Sequence, residues 1–253
     1  MNVKRYANRL RVALALGAVS VLVAVGSAGA AGPSGTIKSG AGPGWPSTLS
    51  PSDFVAHVDN PYFPLKPGSQ YRYHGEKDRT PMIDVMRVTD RKKRILGVST
   101  TVVHDKVLIH GQPREVTNDW YAQDRHGNVW YFGERTRELD RHGHVISTEG
   151  SFKAGRDGAR AGVYIGGHPK VGETARQEFY KGSAEDHFKV LDLNAHVSVP
   201  YVTTDHALRT REWTPLEPRV VDNKYYVRGV GTVREIAVKG PVERLRLVRF
   251  HQG

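Results

Sequence analysis

The chain of 253 residues carries 37 Lys and Arg against 26 Asp and Glu, with 12 His and no cysteine. Without cysteine there is no disulfide framework, no thiol nucleophile and no thiol for lipid attachment. The basic excess is scattered and comes without a recognition-helix or RNA-binding signature, which argues against nucleic acid as a partner.

Residues 1–11 hold Lys4, Arg5, Arg9 and Arg11 and no acid, residues 12–25 are almost wholly apolar, and Ser27-Ala28-Gly29-Ala30-Ala31 follows. That order of charged, apolar and small segments reads as a secretory signal peptide over 1–30, with Ala28-Gly29-Ala30 as its cleavage site. An uncleaved anchor is the competing reading. The apolar run of about 14 residues is short for a membrane span, which needs roughly 20, so no stable span is expected after cleavage. The expected location is therefore secreted, outside the cell or in the envelope space. Losing those four cations leaves 33 basic residues against 26 acids, a net charge of about +7.

Residues 31–50 (AGPSGTIKSGAGPGWPSTLS) are rich in Gly, Pro, Ser and Thr. Such a stretch offers little apolar surface against its chain entropy and reads as a flexible leader. Ser50 is a candidate N-cap, with Pro51 at the first helical position and Asp53 in the first turn. A short helix to about Val58 is expected, stopped by Asn60-Pro61.

From there the period becomes two, and residues 51–253 read as a single antiparallel β domain. Strands are expected at 71–74, 83–88, 98–109, 115–123, 129–139, 145–152 and 173–180. Six more are expected at 188–193, 196–201, 207–213, 224–227, 232–238 and 243–250. β-branched and aromatic residues fill them, and Gly, Pro, Asn or Asp punctuate them. So many strands must curl into an open barrel or stack as two sheets to protect their edges. The fold class is mostly β: a curved antiparallel sheet or open barrel with one short N-terminal helix. The run Arg91-Lys92-Lys93-Arg94 falls where a turn is expected, either as a solvated tip or as a contact for a polyanion such as a cell-wall polymer or acidic polysaccharide.

Asp124-Arg125-His126-Gly127-Asn128-Val129 recurs as Asp140-Arg141-His142-Gly143-His144-Val145. If each His-Gly pair fills a two-residue hairpin loop, Gln123 faces Trp130, Tyr121 faces Phe132 and Asp119 faces Glu134. Glu138 then faces Ser147, and Thr136 faces Glu149. Asp119, Tyr121, Gln123, Trp130, Phe132, Glu134, Thr136 and Glu149 would share one surface. That mixture of aromatic and acidic groups is the candidate ligand-binding face. Like charges opposite one another are unfavourable, so Asp119 and Glu134 need a shared proton, a cation or an arginine.

No G-x-S-x-G or H-E-x-x-H motif occurs, and Glu185-Asp186-His187 lacks a partner at ligand spacing. Gly229-Val230-Gly231 precedes a strand rather than a helix, unlike a phosphate loop. No catalytic residue, metal ligand set or cofactor is therefore assigned, although Asp119 and Glu134 could be drawn as a glycosidase pair.

Asn60-Pro61-Tyr62-Phe63-Pro64-Leu65-Lys66-Pro67-Gly68 before Tyr71-Arg72-Tyr73 forms one motif. Asp119 to Asp124 (DWYAQD), Val197-Ser198-Val199-Pro200-Tyr201, and Tyr225 to Glu235 (YYVRGVGTVRE) form three more. Together they resemble a group of bacterial secreted proteins and lipoproteins of unassigned function, over most of the mature chain. The resemblance implies a curved antiparallel architecture broadly like periplasmic lipoprotein carriers, and no catalytic residues. The expected function is an exported, non-catalytic binding protein. Its partner would be a small apolar or amphipathic molecule, or an envelope glycan, on the concave sheet face. A hydrolase using the carboxylate pair and an extracellular scaffold without a small ligand are the alternatives.

Overall fold

The computed structural model describes residues 35–253, so the signal-peptide reading of residues 1–30 lies outside the described residues. The elements are β1 (Ile37–Lys38), β2 (Thr48–Leu49), a 3₁₀ turn (Pro51–Asp53), β3 (Gln70–Lys77), β4 (Thr80–Ile95), β5 (Val98–Ile109) and β6 (Gln112–Gln123). They continue with β7 (Val129–Leu139), β8 (Val145–Ser147), β9 (Phe152–Lys153), β10 (Arg160–Ile165), β11 (Thr174–Arg176) and β12 (Glu178–Phe179). The last five are β13 (His187–Ser198), β14 (Thr203–Trp213), β15 (Val221–Val227), β16 (Gly231–Lys239) and β17 (Glu243–His251). Among the described residues no helix is long and apolar enough to cross a membrane.

One antiparallel sheet runs in the order β11-β13-β14-β15-β16-β17-β3-β4-β5-β6-β7-β10-β12, with β8 and β9 paired to β7. Its two end strands, β11 and β12, are separated by Gln177 alone. The same short segment therefore pairs with β13 on one side and β10 on the other, and the sheet nearly closes into a barrel. Closure removes the exposed edges. Gly162 of β10 makes the seam sterically possible, because a Cβ there would overlap the carbonyl oxygens of Arg176 and Gln177.

Local chemistry explains the hairpins. Asp78-Arg79, Leu96-Gly97 and His110-Gly111 are two-residue loops with positive φ at both positions, the geometry that matches strand twist. The repeated Asp-Arg-His-Gly element behaves otherwise. In both copies the loop is three residues long: Asp124 N–H donates to Asn128 O at 2.9 Å, and Asp140 N–H to His144 O at 2.9 Å. Only the glycines take positive φ, at 82° for Gly127 and 84° for Gly143. Asp124 Oδ1 accepts the N–H groups of His126 and Asn128, and Asp140 Oδ1 those of His142 and His144. The aspartate thus supplies the turn's internal bonds and leaves the histidine an ordinary conformation. Gly127→Val should cost roughly 1–3 kcal/mol, because a β-branched residue would be forced to positive φ. An unchanged denaturation midpoint would contradict that assignment.

Several sequence expectations are corrected. The N-terminal helix is a single 3₁₀ turn: Ser50 caps it as expected and Asp53 bonds back to complete a capping box, but Phe54 turns extended and bridges to Asp124. Its ring packs edge-on against Phe132 and Trp130, a tertiary gain that outweighs helix continuation. The leader is, from residue 35, built into the fold. β1 pairs with β2, Ile37, Ala41 and Leu49 are buried, and Gly40 and Ala41 bond to β10 and β11 across the seam. Arg91-Lys92-Lys93-Arg94 belongs to strand β4, and the turn falls later, at Leu96-Gly97. The strand expected over 145–152 breaks into β8 and β9, whereas those expected at 188–193 and 196–201 form one strand, β13. β10 corresponds to no expected strand.

Residues 54–69 cross the end of the barrel where β6 turns into β7. Phe63 closes it, with ring centroids 5.1 Å from Tyr121 and 4.4 Å from Tyr164. Tyr71 and Tyr73 are buried and anchor the opposite wall. Their hydroxyls donate to Val230 O at 2.8 Å and Thr232 O at 2.9 Å.

Candidate functional site: an acidic interior and a basic exterior

Asp119 and Glu134 are direct cross-strand partners, as the sequence suggested. The neighbouring register differs. The longer loop makes Gln123 face Val129 and Tyr121 face Tyr131, while Ala122 faces Trp130. A bulge at Gly133, φ 123°, then restores the Asp119–Glu134 pairing. One extra loop residue moves Trp130 and Phe132 to the outer face, under Phe54. There Trp130 Nε1 donates to Asp124 Oδ2 at 2.7 Å.

The expected shared surface is therefore split. Asp119, Tyr121 and Glu134 face the interior, joined by Tyr131, which the longer loop brings opposite Tyr121 in place of Phe132. Gln123 sits at the barrel end, bonded to Asp59 and Asn60. Glu138 faces Ser147 as expected, but Glu149 does not face Thr136. It lies half-buried in the turn after β8, where its N–H donates to Ser147 Oγ.

Tyr131 Oη lies 2.6 Å from Asp119 Oδ1 and 2.9 Å from Glu134 Oε2. A tyrosine hydroxyl has one hydrogen to donate. It bonds both acids only if one of them is protonated and donates back. Burial, reinforced by Asp105, pushes the Asp119 carboxyl up to about 7. Burial and then the Asp119 charge hold Glu134 well above the usual carboxylate range. The geometry is that of a proton shared among two carboxyls and a phenol.

That trio belongs to a larger interior. The small cavity beneath Phe63, about 70 Å³, is lined by Asp84, Asp105, Asp119 and Glu235 together with Tyr73, Tyr121, Tyr164 and Lys224. Lys224 Nζ lies 2.9 Å from Glu212 and 3.7 Å from Glu235. At the far end Lys77 pairs with Glu243 at 3.1 Å. Among the described residues neither Asp84 nor Glu178 forms an ion pair at such a distance, and burial followed by a second acid (Asp105 and Asp186 respectively) raises both well above the usual range, with Lys224 opposing the shift at Glu178. The cavity has room for a few waters and falls far below the ~300–1,000 Å³ of ligand pockets.

Replacing one acid of the pair by its amide should stabilise the protein where the charge is otherwise expelled. Asp119→Asn or Glu134→Gln is expected to raise stability at pH 8 by roughly 1–3 kcal/mol and to change little at pH 5. Thermal melts at both pH values read this, and two variants that melt below the parent at pH 8 would contradict it.

The exterior is the complement. Of the 33 Lys and Arg among the described residues only Lys77 and Lys224 are buried, whereas nine of the 26 Asp and Glu are. The residues that are not fully buried thus comprise 31 cations against 17 acids, a basic excess of 14 where the described chain as a whole has 7. On the outer face Arg87, His104, Asn118 and Arg135 form one cross-strand row over β4–β7. Beside it Lys93 Nζ sits 3.6 Å above the Trp120 ring. Partial burial, then Lys153 and Arg135, lower the Lys93 ammonium below its usual range.

No protein-family model matches the sequence, and no curated protein matches it. Two solved structures are similar. One, from Bacteroides fragilis, is described as an exported protein with a YmcC-like fold; it is 14% identical, with a TM-score of 0.44 over 76% of this chain and 99% of that one. The other, from Parabacteroides distasonis, is described as a lipoprotein; it is 8% identical, with a TM-score of 0.40 over 75% of this chain and 98% of that one.

Proposed function

We propose that this is an exported binding protein whose partner is an anionic polymer of the cell envelope, held on the basic outer face. The observation that carries the reading is the segregation of charge, with acids gathered inside the barrel and cations left outside. Lys93, Arg135 and Lys153 crowd together around Trp120, and their mutual repulsion is relieved when an anion lies across them. The charged, apolar and small-residue order of residues 1–31 supports export. The polymer is an acidic polysaccharide or a comparable linear polyanion, and the protein acts by binding rather than by catalysis.

Titration with a linear acidic polysaccharide, polygalacturonate, tests this. Binding should weaken by about tenfold or more as salt rises from low to above-physiological ionic strength, because exposed charges are screened. The triple variant Lys93→Ala, Arg135→Ala, Lys153→Ala should lose at least about tenfold in affinity, each exposed pairing being worth up to about 1 kcal/mol. Equal binding of a neutral dextran, or an unaffected triple variant, would sink the reading.

A further inference from the structure

A second concave feature lies at the barrel end that residues 54–69 cross. It is a cleft of about 460 Å³ between the segments at 59–62, 126–127, 167–170 and Arg228, with Leu193 on one wall. Unlike the interior cavity, it falls within the usual size range of small-molecule sites.

Its frame is fixed by buried amides. Gln123 Oε1 accepts from the N–H groups of Asp59 at 2.9 Å and Asn60 at 2.8 Å. Asn60 Nδ2 donates to Gly127 O at 2.8 Å and Gly166 O at 3.0 Å, and Asn128 Oδ1 accepts from Gly167 N–H at 2.8 Å. On the remaining side Gly229 N–H donates to Pro61 O at 2.8 Å. A Cβ at Gly167 would overlap the His126 carbonyl oxygen, so the two loops meet backbone to backbone. Asn60 and Gln123 are buried, and their hydrogen bonds tie together segments distant in sequence. A frame held this way is organised before a ligand arrives, which lowers the cost of binding.

The side chains around the frame have one chemical character. Arg228 Cζ lies 4.6 Å from the centroid of the Tyr62 ring, a cation–π contact that holds the guanidinium at the cleft. Lys170, His126 and His168 are exposed around the same cleft. Asp59 is the acid present, and its Oδ1 already accepts from Gln123 Nε2 at 2.6 Å. Pro61, Pro169, Tyr62 and Leu193 add apolar surface.

We infer that this cleft binds a small molecule combining a carboxylate with a compact ring, of the size and chemistry of a uronic acid, with Arg228 gripping the carboxylate. The inference shares its acidic-sugar chemistry with the polymer reading but uses none of the residues around Trp120.

The test is titration of the full protein with galacturonic acid, galactose and inorganic phosphate, followed by calorimetry or amide chemical shifts. Saturable binding of galacturonic acid is expected, with galactose at least about tenfold weaker. Arg228→Ala should lose about tenfold or more. Arg228→Lys, which keeps the charge but not the fork, should lose several-fold at unchanged stability. Lys93→Ala with Arg135→Ala and Lys153→Ala should leave this binding intact, which separates it from polymer binding. Equal affinity for galactose, indifference to both Arg228 variants, or no saturation at tens of millimolar would overturn the inference. Phosphate binding as tightly as galacturonic acid would overturn the carboxylate-and-ring part.

Discussion

The protein should lose stability steadily as pH rises from about 5 to 8. Burial, first among the causes in each case, lifts Glu115 to about 8 and Asp119, Asp222, Glu235 and Glu243 to about 7. Their ordinary values are 3.8 for Asp and 4.5 for Glu. Above the ordinary value the unfolded chain has released these protons, while the folded protein still holds them. The folded state then binds more protons than the unfolded one, and the free energy of unfolding falls with pH until each folded value is passed. Each group contributes about 1.4 kcal/mol per pH unit within that window. Two such groups acting from pH 5 to 7 would remove about 5 kcal/mol, a large share of the ~5–15 kcal/mol that holds a domain together. A fall in melting temperature on the order of 10 °C is expected. Melts at pH 5, 6, 7 and 8 at constant ionic strength measure it. A melting temperature that is flat or rising over that range would mean that the interior acids are ionised and compensated.

The second large effect is expected at the seam. Gly162→Val should destabilise by about 3 kcal/mol or more, and Gly162→Ala by somewhat less. Even one added carbon would overlap the Arg176 and Gln177 carbonyl oxygens, which belong to backbone and cannot swing aside. The strain falls where β10 meets the segment that closes the sheet, so the barrel can relieve it only by opening. Opening would expose the pairing edges of β10 and β13 and should promote association. Chemical denaturation and sedimentation together read both consequences. A variant with parental midpoint and monomer fraction would show that β10 and β12 do not meet as tightly as described.

The acidic interior and the seam at Gly162 are unequally visible in the amino-acid sequence. Period-two alternation and turn residues placed most of the strands, and β5 and β7 match their expected limits. Asp119 and Glu134 were expected as neighbours and are neighbours, but through two cancelling departures: an added loop residue and the bulge at Gly133. The strand carrying Gly162 was missed. Its Arg-Ala-Gly start offers little β propensity, and its pairing is made with residues far away in the chain.

The β class, the antiparallel strand order and the N-cap at Ser50 are legible in the amino-acid sequence alone. These follow from dihedral preferences and from hydrogen bonds between residues close in the chain. Which face lies inside, and what it holds, depends on contacts between residues far apart in the chain. Alternation defines two faces, but it marks the inner one only when that face is apolar. Here the inner face carries Asp84, Asp105, Asp119, Glu134 and Glu235 among tyrosines, while Trp120 and Trp130 lie on the outer one. The ring that gathers those acids around Lys224 exists only once Gly162 lets the two ends of the sheet meet.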